Sequence, residues 1–136
     1  MGSYANDGVV VRAGLLGAAA IIPGGAATVY VVGGGNRNSG NDNLPIDTSA
    51  SRGARNVYVY ISNRTPNVSS IPYTLRYVGS SGNFKSALEI AVATVFAEHQ
   101  PHVIFIPAIK NGDRLNVLHR GNAGELAVQV FGEELQ

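Results

Sequence analysis

Gly, Pro and Asn cut the apolar residues of this chain into short runs, and that punctuation constrains the fold more than any other feature. Leu15 to Ile22 is the longest run, and Pro23-Gly24-Gly25 ends it. None approaches the roughly 20 residues that a bilayer-spanning helix needs, so no membrane partner is expected. Val9 to Val11, Leu15 to Ile22 and Thr28 to Val32 are bounded by breakers and rich in Val and Ile, which predicts three strands. Asn56 to Ser62 alternates cleanly, with Val57, Val59 and Ile61 on one face and Tyr58 and Tyr60 on the other.

The pattern continues towards the C-terminus. Ile71 to Val78 reads as a strand with Pro72 near its start, and Gly79 to Asn83 turns it into a hairpin-like unit. Val103 to Ile106, Leu115 to Leu118 and Leu126 to Phe131 are further strands, separated by Asn111-Gly112-Asp113 and Gly121-Asn122-Ala123-Gly124. Lys85 to Gln100 admits two readings. Ser86-Ala87-Leu88-Glu89 has the form of a helix capping box, which allows one short helix over residues 86–99. The β-branched Ile90, Val92, Thr94 and Val95 favour a strand, and we favour it slightly. Eight or nine short strands with Gly and Pro turns predict an all-β chain, an antiparallel β-sandwich or jelly-roll-like domain. With 136 residues there is room for one such domain, over residues 1–136. The N-terminal segment 1–27 and the apolar-poor loop 33–53, which holds only Leu44 and Ile46 as large apolar residues, are expected to serve as contact arms.

Composition bears on function through what it lacks. Only 14% of residues are charged, against about 25% in an average soluble domain, and the net charge is +1. Such a chain has little field to hold its copies apart, so a homo-oligomer is expected. The same balance argues against a nucleic-acid partner, which selects a basic patch. With no Cys, thiol catalysis and thiolate metal sites are excluded. Leu15 to Ile22 imitates a secretory signal, with Arg12 ahead and small residues behind, but Asp7 lies where that signal should be positive.

Candidate chemistry is thin. Glu98, His99 and His102 cluster around Pro101, yet this spacing does not set two rings as metal ligands, and a structural zinc needs four. There is no G-x-S-x-G nucleophile elbow, and the few carboxylates fall in turns and tails rather than in a pair across a cleft. Gly33-Gly34-Gly35 lacks the spacing of a phosphate loop. The expectation is no enzyme, no catalytic or metal residue and no cofactor. Asn63-Arg64-Thr65 and Asn67-Val68-Ser69 match the N-glycosylation pattern in an Asn-rich loop.

The candidates that remain are contact residues. Tyr58, Tyr60, Tyr73 and Tyr77 would form an aromatic face if their strands were neighbours, packing against another subunit or, as an alternative, stacking on a glycan in a lectin-like module. Arg37, Arg52, Arg55 and Arg64 are the basic cluster, and Leu44 and Ile46 the apolar points of the loop. Residues 1–85 carry net +4 and residues 86–136 net −3, so copies could meet head to tail unless the strands interleave.

In general character, and over VIFIPAIKNGDRLNV from Val103 and ELAVQVF from Glu125, the chain resembles the small head-decoration, or cement, proteins of tailed bacteriophages. Those proteins are Cys-poor, Gly-rich and mainly β, and typically sit as trimers on a capsid. The resemblance implies a subunit that binds itself and a major capsid protein on the virion surface. A filament-forming subunit is a near neighbour of this reading, and an extracellular location goes with the glycan alternative.

Overall fold

The computed structural model describes residues 10–16, 20–25, 28–32, 53–65, 67–79, 88–97 and 101–135. Among them the chain forms β1 (Val10–Leu15), β2 (Ala20–Pro23), β3 (Thr28–Val32), β4 (Ala54–Asn63), β5 (Ser70–Val78), β6 (Leu88–Phe96), β7 (His102–Ile109), β8 (Arg114–His119) and β9 (Glu125–Leu135). The first sheet has the order β1-β9-β4-β7, and the second β3-β8-β5-β6, with all pairs antiparallel. β1 and β2 lie one after the other along the same edge of β9, β1 against Phe131 to Leu135 and β2 against Glu125 to Val128. The chain changes sheet at every connection from β2 onward except β5–β6, which is the path of a jelly roll.

Alternation supplies the core. Val57, Val59 and Ile61 of β4 and Leu126, Val128 and Val130 of β9 face Ile71, Tyr73 and Leu75 of β5 and Leu115 and Val117 of β8, all sealed from water. Each such aliphatic side chain gains about 1.5–3 kcal/mol from burial, which repays the ordering of the strand that carries it. At β4 the ladder is interrupted between Arg55 and Tyr58, where Asn56 takes a left-handed φ of 52°. Gly132 of β9 lies against this bulge. A Cβ there would stand 3.1 Å from the Val57 backbone, so a larger residue would push the two central strands apart.

The strand reading holds over the described part of 86–99, where β6 pairs with β5 from Leu88 to Phe96 and the alternative helix does not form, because β-branched residues beside a partner strand outweigh an isolated capping pattern. Two expectations are corrected. Leu15 to Ile22 is not one strand, since β1 ends at Leu15 and β2 begins at Ala20. β4 and β5 are not neighbours but belong to opposite sheets, so their tyrosines cannot share a face. Among the described residues each sheet interleaves strands from both halves of the sequence, so the two halves do not form separate layers. The ion pairs Arg55–Glu133 and Arg64–Glu125 tie the two halves together.

Candidate interaction surface

The outward face of the first sheet is built from the β4 alternation that buries Val57, Val59 and Ile61. Register places Tyr58 beside Phe105 of β7 on one side and Phe131 of β9 on the other, with Leu15 of β1 beyond Phe131. Leu15, Phe131, Tyr58 and Phe105 therefore form one row across all four strands. Tyr58 is 42% exposed, Phe105 48% and Leu15 40%, a degree of exposure that leaves most of this row wet. A second row holds Gln129, Tyr60 and the exposed Val103. The rings interlock: Tyr58 and Phe105 lie 4.9 Å apart at 45°, and Tyr60 meets Phe131 edge-on at 5.3 Å.

Charges bound this face rather than cross it. Arg55 holds Glu133 at 2.6 Å at one end, and Arg64 approaches Glu125 at 3.7 Å at the other. The two arginines sit at opposite ends of β4, about 30 Å apart by strand rise, so Arg64 stands away from Arg55. Arg37, Arg52, Leu44 and Ile46 lie outside the described residues, as do Glu98 and His99.

Tyr73 and Tyr77 are spent internally. Tyr73 points into the sandwich at 1% exposure, and its hydroxyl is hydrogen-bonded to Nδ1 of His102 at 2.6 Å. Burial pushes the Tyr73 phenol above its ordinary value of 10.0. Tyr77 donates to the buried carboxylate of Asp113 and accepts the Lys110 N–H at 3.2 Å, pinning the β7–β8 turn. Neither belongs to the aromatic face.

Sequence reasoning passed over the polar residues that fasten the loops. His119 is completely buried. Its Nδ1 accepts the Gly121 N–H and its Nε2 bonds to the Gly124 carbonyl, each at 3.0 Å, which defines the neutral tautomer with the proton on Nε2. Gly124, at φ +88°, holds a left-handed backbone that strains any side chain, and a Cβ there would press on the Ile71 side chain at 2.8 Å and on Val68 at 3.0 Å. A His two residues ahead of a Gly-rich turn is the signal that could have located this latch. Asn63 is buried as well: its Nδ2 donates to the Val68 carbonyl and its Oδ1 accepts the Thr65 N–H, so the first glycosylation pattern marks a loop pin rather than a free amide. Asn67 of the second pattern is exposed. Among the described residues no three His, Asp or Glu side chains are grouped as metal ligands.

What the described residues bring together on the outer face of the first sheet is a partly exposed apolar row. Comparison of the chain with models of protein families, with curated proteins and with solved structures finds no match in any of the three.

Proposed function

We propose that this protein is a non-enzymatic structural subunit that inserts into a larger protein assembly through the outer face of its first sheet. The row Leu15–Phe131–Tyr58–Phe105 carries the proposal. A continuous apolar stripe across a whole sheet, left in water, costs free energy that a partner recovers at about 25 cal/mol per Å² buried. Tyr and Phe at the centre with charge pairs only at the ends is also the anatomy of a protein interface, aromatic in the middle and polar at the rim. The mechanism is clamping, in which the subunit bridges neighbouring building blocks and adds apolar contacts that keep them together under stress. A decorated capsid, as the resemblance to cement proteins implies, is the assembly we favour, which puts the protein on a virion.

Ring geometry weighs against the glycan alternative. A flat sugar-stacking platform would present coplanar ring faces, whereas Tyr60 and Phe131 stand at 76° and Tyr58 and Phe105 at 45°. The test is incorporation. Phe105→Arg is expected to fold normally yet to be missing from native particles isolated from a host producing only that variant. Normal incorporation would refute the proposal, and retention of the wild type on a polysaccharide column would replace it with the lectin-like reading.

A further inference from the structure

Between its two terminal ion pairs the aromatic face carries no charge at any described outward position: Leu15, Ala127, Gln129, Phe131, Tyr58 and Phe105 are all neutral. A strongly charged partner gains nothing from such a face. The chain itself, at net +1, is a neutral partner that does not repel its own copies. Four strands about 4.8 Å apart and some eight residues long give a footprint of about 500 Å² per copy, or about 1,000 Å² for two, near the threshold for a specific interface.

We infer that the first sheet's outer face binds the same face of a second copy, with a two-fold axis along the strand direction between β9 and β4. This rests on the reading of that face as a docking surface within an assembly and names its occupant as the neighbouring copy of this chain, so that contacts to any other protein of the assembly fall elsewhere on the subunit. Such an axis sets Leu15 against Phe105 of the partner subunit and Phe131 against Tyr58 of the partner subunit. Each contact then joins unlike members of one row, a small side chain against a large one at the flanks and two rings at the centre. An axis across the strands would instead stack Phe105 on its own copy and Leu15 on its own copy, leaving the gap between sheets uneven. Two twisted sheets can pack in this way about 10 Å apart, as the two sheets of a sandwich do.

The test uses light scattering and disulfide trapping on the full chain. The wild type is expected to be a dimer at micromolar concentration, and Tyr58→Arg to weaken association at least about a hundredfold, because the substitution strikes both halves of a symmetric contact. Circular dichroism confirms that the variant is folded, and Phe105→Ser serves as a second variant should Tyr58→Arg not fold. The absence of native Cys makes trapping specific. Leu15→Cys mixed with Phe105→Cys is expected to form a disulfide-linked pair under mild oxidation. Neither variant alone should do so, because its two copies would sit about 14 Å apart, three strand spacings, beyond the reach of a disulfide. A wild type that stays monomeric at all concentrations would overturn the inference, as would a dimer that survives Tyr58→Arg or trapping within a single variant. A monomeric wild type removes the second copy as occupant but leaves the face open to a different protein, whereas normal entry of Phe105→Arg into native particles removes the docking surface itself, so the two failures are distinguishable.

Discussion

β4 and β5 each present two tyrosines, and the structure uses them in opposite ways. Tyr58 and Tyr60 stand on an outer face among Phe105, Phe131 and Val103, held by ring contacts. Tyr73 and Tyr77 lie on the second sheet with their hydroxyls committed, one to His102 and one to Asp113. Residue type and even spacing, which keeps each pair on one face of its strand, do not distinguish the two pairs. What does is whether a polar partner sits within reach of the hydroxyl, since a buried phenol without one would carry a desolvation penalty of about 1–3 kcal/mol.

The largest effect that tests this contrast is Tyr73→Ala. Removing a sealed aromatic ring should cost about 3–5 kcal/mol, read as a lower urea midpoint at unchanged slope. A loss below about 1 kcal/mol would mean that Tyr73 is no more central than Tyr58. Next comes Tyr77→Phe, which leaves the buried Asp113 carboxylate without its donor and should cost about 1–3 kcal/mol. Its signature is local: amide exchange should rise first in the turn between β7 and β8, where Tyr77 also accepts the Lys110 N–H.

Tyr73→Phe keeps the ring and removes only the bond to His102, for about 1 kcal/mol. It also changes the response to alkali. Burial raises the folded-state phenol above 10.0, so the folded chain holds this proton more tightly than the unfolded one. The resulting stability is complete below pH 10 and drains away as pH rises from there through the folded-state value. Urea midpoints of the wild type should therefore fall above pH 10, and those of Tyr73→Phe should fall less steeply.

Much of this contrast was legible in the sequence on one side only. Alternation set Val57, Val59 and Ile61 on one face and Tyr58 and Tyr60 on the other, because period-two patterning follows directly from the pleat, but it left open whether the tyrosine face is packed or exposed. It could not say that β5 joins the opposite sheet. Asn111-Gly112 marks a turn, but the same turn chemistry serves a hairpin or a crossing between sheets, and here β7 and β8 lie in different sheets. Pairing across β1-β9-β4-β7 depends on contacts between residues distant in sequence, so Leu15, Phe105 and Phe131 joined the surface only once register was known. His119 and Asn63 were missed for a related reason: their partners are backbone groups, which leave little trace in side-chain patterns.

The smallest effect on folding belongs to Tyr58→Ser, and it sharpens the comparison most. Tyr58 is 42% exposed and its ring leans on Phe105 alone among the described aromatic contacts, so truncating it in a dilute monomer should change stability by about 0.5 kcal/mol or less. Concentration separates this from mere tolerance. If two copies close over the row, folding and association are linked by mass action, and the thermal midpoint of the wild type must rise as protein concentration rises. Tyr58→Ser should flatten that dependence while matching the wild type at the dilute end. Tyr73→Ala should do the reverse, lowering the midpoint at every concentration while the wild-type slope persists wherever the variant is folded. Parallel lines for the wild type and Tyr58→Ser would place the two tyrosine pairs in the same category, as packing residues of a single chain.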